Sequence, residues 1–280
     1  MNNKTLYKVI ITVCIVVGIV AGAMFAKQLS DRRNAEKTLS ELSESTTAKA
    51  EGAPKAAQVN VPATPEVTEE PTGAEKTKLL MEKLGIEDPG KEIDFDSLRE
   101  EKNEDIYSWL YIPGSVIDYP VLQHPTDNAY YLHHNIDNSA GYPGCIYSEL
   151  YNSKDYSDRV TVLYGHNMRN GTMFADLHLF EDEEYFENTP YFFIYTPEGL
   201  NIYEIFAAFE HTDEHLMMKH DFKVDYEFEQ FFKMIKDTRQ MNSHVRDGVE
   251  INTEDKIVIL STCVTGRDNH RYLVVGRLVE

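Results

Sequence analysis

Between residues 110 and 278 the chain breaks into short apolar runs separated by turn-forming residues, and this pattern admits few folds. The runs cover residues 110–112, 116–122, 144–148, 159–164, 191–196, 201–210, 256–262 and 271–278. They are rich in β-branched and aromatic side chains, which fit a pleated, half-buried surface. Asn201-Ile202-Tyr203-Glu204-Ile205 alternates as a half-exposed strand does, and Pro197-Glu198-Gly199 supplies the turn before it. About eight short strands in one segment predict a mainly β protein whose sheet closes, or nearly closes, into a barrel.

Helices decorate this frame. Residues 76–84 carry Leu79, Leu80 and Leu84 at helical spacing. Residues 94–110 extend the pattern with Phe95, Leu98, Ile106 and Trp109, and Asp96 fits as N-cap. A short helix is expected over 172–179. A long one is expected over 225–242, just before the last strand pair, with Phe228, Phe231, Phe232 and Ile235 on one face. That stripe reads as a packing face rather than a ligand box.

The N-terminal part cannot belong to the same compact unit. Residues 9–26 are apolar or small throughout, apart from Thr12 and Cys14. Eighteen helical residues span about 27 Å, most of a bilayer core. Lys4 and Lys8 precede the stretch, and Lys27, Arg32 and Arg33 follow it, so charge alone does not fix its orientation. A cleaved signal peptide is the rival reading, since Ala21-Gly22-Ala23 suits a small-residue cleavage site. The apolar length favours a retained anchor over residues 1–29. Residues 30–77 are rich in Ala, Glu, Thr, Lys and Pro without apolar periodicity, which predicts a disordered stalk. Residues 78–280 are then the folded domain.

The net charge of −20, from 47 acidic and 27 basic residues, disfavours nucleic acid as a partner, because phosphate binding needs cations. Glu181-Asp182-Glu183-Glu184 reads as a solvated helix start, and no loop spacing there supports calcium. Three cysteines are too few for a disulfide framework. Cys14 lies in the apolar stretch. Cys145 reads as a small buried hydrophobe, with a reversible Cys145–Cys263 disulfide as the alternative.

Cys263 stands apart. It ends the strand-like run Lys256-Ile257-Val258-Ile259-Leu260-Ser261-Thr262, and Arg271 opens the next strand eight residues later. If the two strands pair antiparallel, the thiol lies beside a fixed cation, and positive charge favours the reactive thiolate. A second apolar run, Val160-Thr161-Val162-Leu163-Tyr164, leads into Gly165-His166. A cysteine and a histidine far apart in sequence are the usual arrangement for cysteine-based acyl transfer. Arg267 competes with Arg271, but it falls in the turn beside Gly266.

The strand-ending Leu260-Ser261-Thr262-Cys263 with its arginine, and Leu163-Tyr164-Gly165-His166-Asn167-Met168, resemble the signature of the sortases, membrane-anchored transpeptidases of Gram-positive bacteria. Trp109-Leu110-Tyr111-Ile112-Pro113-Gly114, Ile117-Asp118-Tyr119-Pro120-Val121, Tyr130-Tyr131-Leu132-His133-His134-Asn135 and the helical insert before the cysteine strand resemble class B in particular. The likeness covers residues 96–280. It implies a sortase-like closed β-barrel, on the extracellular face of the membrane, with the N-terminus inside. It implies that Cys263 is the nucleophile, that His166 handles protons and that Arg271 steadies the oxyanion. It further implies cleavage of a sorting signal after threonine, through a thioester, and transfer to an amine of peptidoglycan or of a pilin. Partners would be surface proteins with a C-terminal sorting motif of N-P-x-T-N, S-P-x-T-G or L-P-x-T-G type. No metal or cofactor is implied. Only a small fraction of the enzyme would carry thiolate and imidazolium together. Ser261, Thr262 and Tyr164, which adjoin the motif residues, are the expected groove contacts, with Asn128 and Leu132 carried over from the class B pattern. The pre-cysteine helix would help to wall the groove.

Two other function classes remain to be tested. His211-Thr212-Asp213-Glu214-His215 matches a zinc-hydrolase pattern, H-x-x-E-H. That chemistry needs both histidines on one helical face, whereas the residues before them read as strand. His133-His134 reads as a loop pair. A non-catalytic surface binding module on the same barrel is the third class.

Overall fold

The computed structural model describes residues 3–52, 73–238 and 240–279. Three helices come first: α1 (Asn3–Gly52), α2 (Gly73–Leu84) and α3 (Phe95–Glu101). Then follow β1 (Ile106–Tyr111), β2 (Asp118–Leu122), α4 (Tyr130–His133), β3 (Ile146–Ser148) and β4 (Val160–Tyr164). A 3-10 helix (Ala175–Glu181) and α5 (Glu183–Asn188) precede β5 (Tyr191–Thr196) and the long β6 (Gly199–Thr212). The chain ends with α6 (Leu216–Lys219), α7 (Asp225–Lys236), β7 (His244–Val245), β8 (Ile257–Val264) and β9 (Arg267–Leu278).

The strands run β5-β1-β2-β3-β4-β8-β9-β6, and β5 also pairs with β6, so eight strands close into a barrel, with the two-residue β7 appended to β6. The length of β6 makes closure possible. Its first part, through Glu204, pairs with β5, and the part from Tyr203 to Thr212 pairs with β9. Each strand thereby loses its open edge. One apolar cluster fills the barrel, with Leu110, Ile146, Leu163, Leu260 and Val274 inaccessible to solvent, and continues on the other face of β1 through Trp109 to Leu39 and Leu42 of α1. A second lies outside the wall, where Phe228, Phe231, Phe232 and Ile235 of α7 cover Val160, Ile257, Ile259 and Val275. The aromatic stripe is thus a packing face.

Three expectations about helices change. The helix expected over 94–110 stops at Glu101. Asp94, not Asp96, caps it by accepting the Ser97 N–H at 3.0 Å. The Asn103 side chain then takes the Asp105 N–H and turns the chain into β1. Ile106 and Trp109 sit three apart, so they mimic a helical stripe while lying in a strand buried along most of its length. The pre-cysteine helix ends at Lys236 rather than at 242. The short helix expected over 172–179 is the 3-10 turn 175–181.

The first half of the expected stalk is helical as far as Gly52. Ala35, Leu39, Leu42 and Thr46 lie along one face and are buried against the domain. The stripe escapes a sequence reading because only two of its four members are large and apolar. A polar clamp holds it: Asp118 accepts from Lys91 Nζ at 2.7 Å, from Trp109 Nε1 at 2.7 Å and from Ser43 Oγ, and Lys91 also reaches Thr46 Oγ1 at 3.1 Å. Residues 53–72 of the expected stalk lie outside the described residues.

Candidate active site

β8 lies between β4 and β9, parallel to the first and antiparallel to the second. Tyr164 stands opposite Ser261 on one side, and Cys263 stands opposite Arg271 on the other. The expected placement of Cys263 beside Arg271 across a hairpin is therefore present. Arg271 Nη1 donates to the carbonyls of Asp268 (3.0 Å) and His270 (2.8 Å), which ties the side chain to the first part of β9. That strand starts at Arg267, not at Arg271 as expected, so Arg271 lies within it and Arg267 opens it. Among the described residues no carboxylate forms an ion pair with Arg271. Arg267 is instead paired with Glu210. The cation left uncompensated beside the thiol is Arg271.

His166 follows the end of β4 across Gly165. Only glycine fits at that turn, because a Cβ there would lie 2.5 Å from Ile146 Cδ1 and 2.8 Å from the Phe174 ring. The turn is fastened at both ends. Gly165 N–H donates to the Ser261 carbonyl (3.2 Å), and the Gly165 carbonyl accepts from Thr262 Oγ1 (2.9 Å). The His166 carbonyl accepts from Phe174 N–H (3.0 Å). Its ring Nε2 lies 2.8 Å from the Leu132 carbonyl, which can only accept, so Nε2 carries the proton and Nδ1 is the nitrogen left for chemistry. Burial holds the imidazole pKa below its ordinary 6.5, opposed by the Leu132 bond and aided by His133. The Tyr142 ring stands beside it, 5.0 Å between centroids.

Cys263, His166 and Arg271 line one groove of about 270 Å³. Its floor and sides include Leu132, Tyr164, Ser261 and Thr262, four of the five expected contacts. Asn128 is not among the lining residues; its Oδ1 takes the Leu150 N–H at 2.8 Å and so anchors the segment that carries Glu149. Thr262 is buried, with its hydroxyl spent on Gly165, so what it presents to the groove is backbone and methyl. The Tyr164 hydroxyl is buried and has no hydrogen-bond partner among the described residues.

Several residues at the site carry no sequence signal. Tyr147 of β3 lines the groove close to Cys263 and Arg271, and burial, Glu149 and Cys263 together push its phenol pKa up while Arg271 opposes them. Glu149 and His215 form the far wall, His215 Nε2 lying 2.6 Å from Glu149 Oε2. Burial raises the Glu149 carboxyl pKa, and His215 opposes the rise. Behind Cys263, its carbonyl lies 3.0 Å from both Asn167 Nδ2 and His178 Nε2.

The H-x-x-E-H stretch does not form a helical ligand set. His211 lies within β6, and His215 follows the strand and meets Glu149. His133 ends α4, and His134 stacks on Tyr130, 3.9 Å between centroids. Cys145 is buried and unpaired, with burial raising its thiol pKa. Glu181 to Glu184 span the end of the 3-10 helix and the start of α5, which Asp182 caps. The groove wall nearest α7 is built by residues 211–216 at the end of β6, not by α7 itself.

The chemistry available here is acyl transfer: an exposed thiol, an imidazole with one free nitrogen and an uncompensated guanidinium share one peptide-sized groove. Comparison with known proteins points the same way. The family model described as "Sortase domain" matches residues 110–279. Sortase B of Listeria monocytogenes is 36% identical over 190 residues, covering 66% of this chain and 74% of that protein. Among solved structures, Clostridium perfringens sortase B superposes with a TM-score of 0.60 at 31% identity, over 67% of this chain and all of that one. A Staphylococcus aureus sortase B–substrate complex gives a TM-score of 0.58 at 27% identity, over 73% of this chain and 92% of that one.

Proposed function

The chain belongs to the sortase family of cysteine transpeptidases, and from that premise we propose that it is a membrane-anchored enzyme that cleaves a C-terminal sorting signal after threonine and passes the freed protein to a cell-surface amine. One observation carries the reading above the others. Cys263 and Arg271 are register partners at the mouth of the groove that His166 also lines.

The Cys263 thiolate attacks the threonine carbonyl carbon. The carbonyl oxygen becomes an oxyanion beside the Arg271 guanidinium and nearby backbone N–H groups. As the peptide C–N bond breaks, the leaving nitrogen takes a proton from His166 Nδ1. A thioester to Cys263 remains. The incoming amine attacks that thioester, gives a proton to His166 and releases Cys263 as thiolate. Oxyanion donors of this kind contribute about 10²–10³ in rate, and general acid–base transfer about 10²–10⁴. Because burial depresses the imidazole pKa, the acid form of His166 is the minor one, in keeping with a small active fraction. Amines of a peptidoglycan stem or cross-bridge, or of a pilin, are the acceptors this chemistry takes.

The anchor is the apolar first part of α1, long and apolar enough to cross a bilayer. Residues 24–32 of α1 and residues 135–142 form a common cleft, and Tyr142 of that loop borders His166. That cleft supports a reading in which the site opens near the membrane surface; the extracellular side is the one on which sorting-signal chemistry would take place. An intact mass beginning near Met1 supports a retained anchor; one beginning near residue 24 supports a cleaved signal.

The test uses the chain from residue 30 onward, which keeps the docked part of α1. Fluorogenic peptides carrying N-P-x-T-N, S-P-x-T-G and L-P-x-T-G motifs are incubated with it and with Cys263→Ala. Cleavage of at least one peptide, abolished by the substitution, is expected. No cleavage together with no labelling of Cys263 by thiol reagents points to a binding module. Cleavage retained in Cys263→Ala and lost to a chelator points to a zinc hydrolase.

A further inference from the structure

In the parallel pair of β4 and β8, Gly165 N–H donates to the Ser261 carbonyl at 3.2 Å. The next acceptor on that edge of β8 is the Cys263 carbonyl, two residues on. Its donor would be the N–H of residue 167 if β4 continued straight. It does not continue, because the chain turns at Gly165 and His166 to set the imidazole on Leu132. The ladder is therefore cut at the very residue that carries the thiol. A backbone carbonyl left without its ladder partner calls for another donor.

Two side chains take the vacant place. Asn167 Nδ2 lies 3.0 Å from the Cys263 carbonyl and 3.2 Å from Thr265 Oγ1. His178 Nε2 lies 3.0 Å from the same carbonyl and 3.0 Å from Asn167 Nδ2. His178 is itself oriented, its Nδ1 lying 2.6 Å from Glu181 Oε1 within the 3-10 helix. A carboxylate can only accept, so Nδ1 carries the proton. With His178 neutral, Nε2 accepts from one Asn167 N–H while the other serves the Cys263 carbonyl. With His178 protonated, Nε2–H donates to the carbonyl directly. Either way the carbonyl keeps a donor. On the opposite edge of β8, Cys263 stands across from Arg271 in register.

We propose that Asn167, His178 and Glu181 are positioning residues for Cys263. They replace the missing strand, fix the peptide plane behind the nucleophile and so fix where Sγ points, which a small displacement would spoil. The inference rests on the reading of Cys263 as the nucleophile.

The experiment uses the full-length chain in detergent micelles with a cleavable sorting-signal peptide. Asn167→Ala and His178→Ala are each expected to lower kcat by about tenfold, and the double variant by about a hundredfold, with KM within about twofold. His178→Gln, whose amide can take the Asn167 N–H on Oε1 or donate to the Cys263 carbonyl through Nε2, is expected to recover most of the loss. A second readout is independent of turnover: with ¹³C-carbonyl cysteine, the Cys263 carbonyl resonance moves upfield in the double variant while that of Cys145 stays. The proposal is overturned if the double variant keeps wild-type kcat, if KM rises instead, if glutamine fails to rescue, or if the Cys263 resonance does not move. Cys263→Ala, run alongside, separates the two ideas. Cleavage persisting there sinks the nucleophile itself, whereas loss there with His178→Ala unaffected sinks only the positioning role.

Discussion

At the scale of single residues, the two arginines near Cys263 differ in what already neutralises them. Arg267 spends its charge on Glu210, whereas Arg271 contacts backbone carbonyls and no carboxylate among the described residues. Arg271→Ala is therefore expected to lower kcat by about 10²–10³. Lysine at that position is expected to restore little, because a point charge does not reproduce a planar fork. Arg267→Ala should stay close to wild type, since its half-exposed pair contributes less than about 1 kcal/mol. Peptide-cleavage kinetics on the three variants check this. His166 makes a different prediction. Its folded pKa lies below the unfolded 6.5, so as pH falls through 6.5 the unfolded chain takes up the proton first. The unfolded state then binds more protons, and stability falls with pH. In His166→Gln that part of the acid loss disappears, which thermal melts either side of pH 6.5 would show as a shallower decline.

At the scale of elements, the site exists because two strands end side by side and one of them is followed by a glycine that admits no side chain. Gly165→Ala is expected to force Ile146 and Phe174 aside and to displace His166, costing activity out of proportion to the roughly 1–3 kcal/mol lost to overpacking. Comparing kcat with the thermal midpoint tests that separation. The strands were legible because each carries its own apolar run, and Cys263 and His166 were legible because they stand where β8 and β4 run out. Arg271, expected to open its strand, is the fifth residue of β9, and it is Arg267, expected in the turn, that opens it. Asn167, His178 and Glu149 were not, because polar residues in loops gain meaning only from partners that folding brings from far along the chain. Trp109 misled in the other direction: three-residue spacing to Ile106 imitates a helix, and only its bond to Asp118 in the neighbouring strand shows why it belongs in a sheet.

At the scale of the whole molecule, α1 joins an apolar stretch to a segment docked on the barrel, so the proposed anchor would hold the barrel closely rather than on a loose leash. Lys91 is almost wholly buried against Asp118. Asp118→Ala removes the carboxylate on which Lys91, Trp109 and Ser43 converge and is expected to release α1, visible as new protease cleavage between Ala35 and Thr46. The direct test of the whole account is intact-protein mass spectrometry during turnover with a sorting-signal peptide and no acceptor amine. The expected result is a hydroxylamine-sensitive adduct on Cys263 equal to the peptide fragment ending in threonine, absent in Cys263→Ala. Peptide cleavage without any such adduct, or undiminished in Cys263→Ala, would contradict it.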